Sequence, residues 1–334
     1  MSPKKHAYIA ELEGWRGAAI LFLLLGHFGP ALAFPFGRLG VEFFFVLSGR
    51  LMAQLLFIDR IDLRDFYVRR ISRVFPALWF FCLAMLLATW LTGKFGVEPI
   101  DFFRAITFTI NYHTTTSVLG HIWSLCIEEH SYVLLSLLAL LQRRISVVHV
   151  LLVISTACMA NGAIQTWAYG LDYYSVYWRT DTRAASILMS AAVFLLVQQR
   201  GLKWSSAVIA GSVLSGLILH LSPAVPDPIR YSLGTLFLAF GVANATDLPN
   251  VVRAVLASRF MKVAGVLSFS IYLWQQPGAG KDHYILAYLN AAIAAGTLSY
   301  FLIEKPARRW INERFTSVRQ RSVSASGSNP RGIV

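Results

Sequence analysis

The stretch Glu13-Gly14-Trp15-Arg16-Gly17-Ala18-Ala19-Ile20-Leu21-Phe22-Leu23-Leu24-Leu25-Gly26-His27-Phe28-Gly29-Pro30-Ala31-Leu32-Ala33 decides how this chain is read. From Ala18 to Ala33 it contains no Asp, Glu, Lys or Arg. With Trp15 before it, the run is long enough to cross a bilayer, which takes roughly 20 apolar residues. His27 lies inside it. An ionisable group at membrane depth is costly and ordinarily faces a protein interior or a wet cavity, and imidazole exchanges protons near neutral pH. The helical rise from Arg16 to His27 is about 16 Å, which puts Arg16 near one surface and His27 past the midplane.

The rest of the chain repeats this pattern. Of 334 residues, 56% are hydrophobic and only 14% charged, and the mean hydropathy is +0.56. Soluble domains carry roughly 25% charged residues. Apolar runs near 15–33, 41–58, 75–93, 124–141, 146–163, 184–199, 204–221, 230–246, 262–275 and 284–303 predict an all-α integral membrane protein of about ten transmembrane helices. Residues 1–310 form one membrane domain, and 311–334 form a cytoplasmic tail whose Ser, Arg and Gly predict disorder. The first apolar run is too long for a cleavable signal peptide and lacks a small-residue cleavage site, so the mature chain is expected to begin near Met1.

Positive charge sets the orientation. If Met1 is cytoplasmic, 22 of the 30 Lys and Arg fall on the inner side, with clusters at 60–73 and from Lys305 onward. Seven fall outside, and Arg50 lies within a helix. The positive-inside rule then places both termini in the cytoplasm. Topology and anionic lipid account for the net charge of +13 without a nucleic-acid partner. Cys82, Cys126 and Cys158 have no CxxC or metal-ligand spacing and predict neither disulfides nor a metal site. No internal repeat is visible.

Five polar clusters interrupt the apolar background. Glu13, Arg16 and His27 form the first. The second is Gly40-Val-Glu42-Phe-Phe-Phe-Val-Leu-Ser48-Gly49-Arg50. There Glu42 opens a helix on the outer side and Ser48-Gly49 suits close helix packing. The third, Tyr67-Val-Arg69-Arg70-Ile-Ser-Arg73-Val-Phe-Pro76, puts Arg70 and Arg73 on one helical face. Paired guanidinium groups grip phosphate or anchor to anionic lipid. The fourth, His121-Ile-Trp123-Ser124-Leu-Cys-Ile-Glu128-Glu129-His130-Ser-Tyr132, sets two carboxylates at the outer end of a spanning helix among interfacial aromatics, and one of them could orient His27. The fifth comprises Asp181-Thr-Arg183, the run from Ser268 through Tyr272 to Trp274-Gln275-Gln276-Pro277, and Ser299-Tyr300-Phe-Leu-Ile-Glu304-Lys-Pro306.

In order and spacing, over about residues 8–310, these landmarks resemble the acyltransferase-3 family of membrane O-acyltransferases, typified by bacterial O-antigen and exopolysaccharide acetylases. The resemblance implies ten helices in the bacterial inner membrane, a cytoplasmic acyl-CoA donor, acetyl-CoA foremost, and a sugar hydroxyl on a carbohydrate or glycolipid acceptor. It implies catalytic roles for His27, Glu128 and Arg16, and donor binding by the Arg70–Arg73 pair together with neighbouring Arg69. Glu13, Glu42, Ser48, Trp123, Ser124, Glu129, Tyr132, Arg183, Tyr272 and Glu304 are further candidates. The chain departs from the family where Gly49-Arg50 replaces Gly-Phe, where Ala185 stands for a frequent acid, and where Trp274-Gln275 replaces a frequent Trp-His. The hydrolase-like domain fused to some relatives is not expected here.

Acyl transfer from a thioester to a hydroxyl requires a base or an acyl-carrying nucleophile, and His27 can serve as either. Glu128 would hold or polarise it. A proton-coupled transporter or flippase using His27 and Glu128 is the competing reading, with a lipid-binding sensor as a third. The transporter is disfavoured by the lack of repeats and of matching broken helices.

Overall fold

The computed structural model describes residues 9–29, 34–113, 115–201, 203–279 and 284–326, with side chains to Phe315. Among these the secondary structure is entirely helical. In chain order the helices are α1 (Ala10–Phe28), α2 (Phe36–Ala53), α3 (Leu63–Thr92), α4 (Pro99–Ile106), α5 (Trp123–Leu141), α6 (Val147–Trp167), α7 (Tyr173–Tyr177), α8 (Thr180–Arg200), α9 (Ser206–Leu221), α10 (Asp227–Ile229), α11 (Thr235–Ala243), α12 (Asn250–Leu256), α13 (Arg259–Trp274), α14 (Ile285–Ser299) and α15 (Lys305–Ser326). Three π-helical turns, Gln54–Ile58, Arg230–Gly234 and Tyr300–Glu304, extend α2, lead into α11 and join α14 to α15.

Local chemistry sets the helix ends. Asp62 caps α3 by accepting from the Arg64 amide at 2.8 Å, and α3 stops at Gly93, whose φ of 67° only glycine adopts cheaply. α4 opens with Pro99 behind a Glu98–Asp101 capping box. Ser258 accepts from the Met261 amide and starts α13.

Within the described residues, each of the ten apolar runs overlaps a helical segment. By length and apolarity alone, six helices qualify as membrane spans: Phe36–Ile58, Leu63–Thr92, Val118–Leu141, Val147–Trp167, Thr180–Arg200 and Ile285–Phe315. The pair α12–α13, bent by 51°, makes a seventh if it counts as one span. The other three expected spans fall outside this test because α1 carries Glu11, Glu13 and Arg16 in its first two turns, α9 has 16 residues and α11 only nine. Leu140, Val153 and Leu302 are more than two-thirds exposed, an outer apolar surface suited to lipid. The chain is a multi-pass membrane protein. The tail expected to be disordered begins inside α15, which is helical to Ser326, and 327–334 lie outside the described residues.

α1 is gripped by α2 and by the α12–α13 elbow. A Cβ on Gly14 would overlap the Leu256 carbonyl and one on Gly17 the Met261 carbonyl, so backbone touches backbone there. Gly14 and Gly17 share the contact face, and Arg16, one position off it, turns into a cavity.

A second fastening lies deeper. Arg183 Nη2 is 2.6 Å from Glu42 Oε2, with Arg183 1% and Glu42 0% exposed. The carboxylate also accepts from Thr235 Oγ1 at 2.5 Å and from Ser186 Oγ at 3.3 Å, while Arg183 Nη1 donates to Ser186 Oγ at 3.0 Å. The guanidinium lies 3.7 Å from the Tyr231 ring centroid. This network ties α2, α8 and α11 together. Removing one member of such a pair strands a buried charge, at a cost of about 3–5 kcal/mol. Arg183→Ala should therefore lower the thermal midpoint of the detergent-purified protein sharply, and Glu42→Leu/Arg183→Met should recover part of the loss. A single variant as stable as wild type would show that the pair is not structural.

Candidate active site

Helices α1, α2, α3, α5 and α13 enclose a cavity of about 100 Å³. Arg16, Ser48, Arg70, Arg73, Glu128 and Tyr272 supply polar groups, joined by Ser124, Tyr132 and Ser268. Phe44, Phe45 and Phe269 supply an apolar wall. A space of this kind admits a narrow chain such as the acyl-thioester arm of a donor.

The charges here are already organised. Arg70 Nη2 donates to Glu129 Oε1 at 3.0 Å and stands 3.6 Å from Glu128 Oε2, with its guanidinium 4.0 Å from the Tyr132 centroid. Glu128 Oε1 accepts from Ser48 Oγ at 3.0 Å, and its Oε2 accepts from the Tyr132 hydroxyl at 2.9 Å. The sequence reading placed Arg70 on the cytoplasmic side and the two carboxylates at the outer end of their helix. The fold joins them instead. Arg70 lies two turns inside α3 and Glu128 more than a turn inside α5, so the offset between the helices cancels the separation. Arg69 is exposed and does not line the cavity, whereas Arg73 does. Arg73 and Arg308 lie within electrostatic range of Glu13 and of Glu304, whose Oε2 accepts from Ser270 Oγ at 2.7 Å.

His27 does not line this cavity. Its Nδ1 lies 2.5 Å from Gln275 Oε1, and Gln275 Nε2 donates to Gln276 Oε1 at 3.1 Å. An amide oxygen only accepts, so Nδ1 donates to it, and in the neutral imidazole Nε2 then keeps its lone pair. Nε2 faces Gly37, where a Cβ would stand 3.5 Å away. The orienting group is thus neutral Gln275, and the expected Glu128 is engaged by Ser48, Tyr132 and Arg70.

Tyr272 bridges the two regions. Its hydroxyl accepts from Ser124 Oγ at 2.6 Å and donates to the His121 carbonyl at 2.5 Å. The His121 ring lies 5.2 Å from that of Tyr272, its Nδ1 donates to the Val118 carbonyl at 2.7 Å, and it is within electrostatic range of His27. Its Nε2 is buried and has no partner among the described residues. Gln275 and His121 were not among the sequence candidates. Both lie inside polar clusters that were quoted, and the signal available was a polar side chain at the end of an apolar helix. Trp123 is the first residue of α5, and Glu42 and Arg183 belong to the separate buried network.

A family model described as an acyltransferase domain, that of the acyltransferase-3 family, matches residues 9–303. The chain belongs to this family. Among relatives, YrhL of Bacillus subtilis (strain 168), named provisionally as a peptidoglycan O-acetyltransferase, is 28% identical over 91% of this chain and 55% of its own length. The O-acetyltransferase OatA of Staphylococcus aureus (strain NCTC 8325 / PS 47) is 27% identical over 90% of this chain and 57% of its own. The chain spans little more than half the length of these relatives. No solved structure matches it. Within this acyltransferase-3 chain, Arg16, Arg70, Arg73 and Glu128 converge on one cavity, and His27 stands beyond Tyr272 and His121.

Because Arg70 neutralises two carboxylates, Arg70→Ala should destabilise the folded protein by at least about 1.5–3 kcal/mol, the worth of a charged hydrogen bond. Arg69→Ala, at an exposed site, should stay within about 0.5 kcal/mol of wild type. Thermal unfolding of the two variants in the same detergent tests the contrast, and equal midpoints would contradict it.

Proposed function

We propose that the chain transfers an acyl group, acetyl by preference, from cytoplasmic acyl-CoA to a sugar hydroxyl of a surface or exported carbohydrate or glycolipid. It works in the bacterial inner membrane, with about ten crossings and both termini in the cytoplasm. The observation that carries the reading is the small cavity bounded by Arg16, Arg70 and Arg73, from which Ser124, Tyr272 and His121 lead toward His27. The names of the relatives agree with the chemistry.

The acyl-thioester arm of the donor threads the cavity toward His27, and the nucleotide stays outside on the cytoplasmic side. Arg73 and Arg16 offer positive charge to the donor, with Arg69 at the exposed rim. Arg70 is neutralised by Glu128 and Glu129, so it holds the donor wall in shape more than it grips phosphate. The acceptor hydroxyl gives its proton to His27 Nε2 and its oxygen attacks the acyl carbon. The C–S bond breaks, and the sulfur leaves as the CoA thiol once protonated. In the relay version, His27 Nε2 first takes the acyl group from the thioester and then yields it to the hydroxyl. In either version Gln275 holds Nδ1–H and keeps Nε2 available.

His27→Ala should abolish transfer of radiolabelled acetyl from acetyl-CoA to membrane glycan at normal protein levels. His27→Gln should fail as well, since an amide takes up no proton near neutral pH. Activity of the Gln variant within a fewfold of wild type would end the catalytic assignment.

For the donor, Arg73→Ala should weaken acetyl-CoA binding about tenfold or more, consistent with one lost charged hydrogen bond. Unchanged affinity by calorimetry would remove Arg73 from the donor site.

Orientation is checked by cysteine labelling. A cysteine at position 112 should react with an impermeant reagent added outside, and one at position 144 should be protected. The reverse pattern would invert the topology.

A further inference from the structure

Gly37, the second residue of α2, stands against the ring nitrogen on which the proposed reaction turns. A Cβ built on it would lie 3.5 Å from His27 Nε2 and 3.7 Å from His27 Cδ2, with Gly26 Cα next at 3.9 Å. His27 is half-buried, its Nδ1 is taken by Gln275, and Nε2 has no hydrogen-bond partner among the described residues. Any group that approaches Nε2 along the first turn of α2 passes Gly37.

The ordinary reasons for a glycine do not apply at this position. Its backbone is that of the α2 helix and its φ is not positive, so an L-residue adopts the same conformation without strain. Close helix contact accounts for its neighbour instead. A Cβ on Gly26 would fall 2.2 Å from Gly37 N and 2.6 Å from Gly37 Cα, so α1 and α2 meet here because residue 26 has no side chain. At residue 37 the distances are those of normal van der Waals contact, and an alanine fits without displacing backbone. The turn is also held in place by its neighbours: Phe36 stacks on Phe22 at 6.0 Å with the planes 7° apart, and the Leu39 amide donates to the Pro35 carbonyl at 3.1 Å. A glycine where alanine fits gives up the stability that a less flexible unfolded chain would bring. What it provides is a methyl-sized clearance beside Nε2.

The clearance lies at the opposite end of α1 from the donor cations. Arg16 and Arg73 line the inner cavity, and the helical rise from Arg16 to His27 is about 16 Å. A donor held by those arginines reaches His27 from the cavity side, through Ser124, Tyr272 and His121. The start of α2 is a separate approach to the same imidazole.

From this arrangement we infer that Gly37 is a specificity-determining residue: its missing side chain is the space through which the acceptor hydroxyl reaches His27 Nε2, and bulk at position 37 sets the steric limit on the acceptor. The inference rests on the proposed function for the identity of the entering group, and the clearance can be tested without any glycan. The probe is diethyl pyrocarbonate, applied to the full chain in nanodiscs and read by mass spectrometry of the peptide that carries His27. In the labelling step Nε2 bonds to a carbonyl carbon of the reagent, the C–O bond to ethyl carbonate breaks, and the Nδ1 proton passes to buffer. Wild-type His27 should be labelled. Gly37→Ala should slow that labelling at least fivefold and Gly37→Val further, with the thermal midpoint of Gly37→Ala at or above that of wild type. Gly26→Ala, by contrast, should lower the midpoint. Transfer of radiolabelled acetyl to membrane glycan is the second readout, and in Gly37→Ala it should fall at least tenfold with acetyl-CoA affinity unchanged. If Gly37→Val does not fold, Gly37→Ala decides alone. Labelling of wild type that Gly37→Ala slows, without any acetyl transfer by wild type, would uphold the clearance and end the proposed function. An unlabelled His27 in wild type, an unchanged labelling rate in Gly37→Ala, or acetyl transfer by Gly37→Ala at the wild-type rate would overturn the inference. A midpoint lowered in Gly37→Ala as far as in Gly26→Ala would make Gly37 a packing residue and overturn it as well.

Discussion

The ion pair between Arg183 and Glu42 is the contact on which the arrangement of helices depends. Two opposite charges with almost no exposure recover their desolvation cost only through close hydrogen bonding; here Thr235 and Ser186 satisfy the carboxylate, while Ser186 and the Tyr231 ring face the guanidinium, whose Nε has no hydrogen-bond partner among the described residues. The requirement is geometric. α2, α8 and α11 satisfy it together at one register, and a shift of either partner helix by one residue would leave a charge stranded. α2 therefore carries Ser48 to the cavity at a fixed height, two turns beyond Glu42, where it meets Glu128.

Around the cavity the same economy applies on a smaller scale. One guanidinium, Arg70, serves two neighbouring carboxylates, and Tyr132 covers its face. The local balance is close to neutral, which leaves Arg16 and Arg73 as the cations that line the cavity with no carboxylate at ion-pair distance among the described residues. His27 is handled differently. A neutral amide fixes its tautomer without supplying the counter-charge that a carboxylate would bring, so the imidazole is held ready as an acceptor rather than as a stabilised cation.

Much of this was legible in the sequence. The apolar runs marked the helical segments, and Arg16, Ser48, Arg70, Arg73, Ser124, Glu128, Tyr132 and Tyr272 all reach one cavity. What could not be read was anything that depends on how one helix slides against another. Glu128 was matched to His27 because both looked outer in their own helices, and the offset between α3 and α5 assigns it to Arg70. Gln275 was noticed only as a departure from the family. Its meaning appears when the end of α13 comes against the end of α1, a contact between partners 248 positions apart in the chain. Spans were also easier to find than to count, because charges in α1 and the brevity of α11 blur a composition test that the three-dimensional packing does not use.

The π-helical turn Tyr300–Glu304 has a consequence for how this chain tolerates change. A π turn holds one residue more than the α-helical turn it replaces, so everything after it is rotated by about the angle of one helical step, near 100°. Here the extra residue brings the Glu304 carboxylate inward to Ser270 while α15 continues along α3. Losing a single residue from 300–303 would not break the helix. It would re-phase it, turning Glu304 away from Ser270 and presenting a different stripe of α15 to α3. The helix behaves at this point like a vernier, in which one unit of length is exchanged for a change of facing.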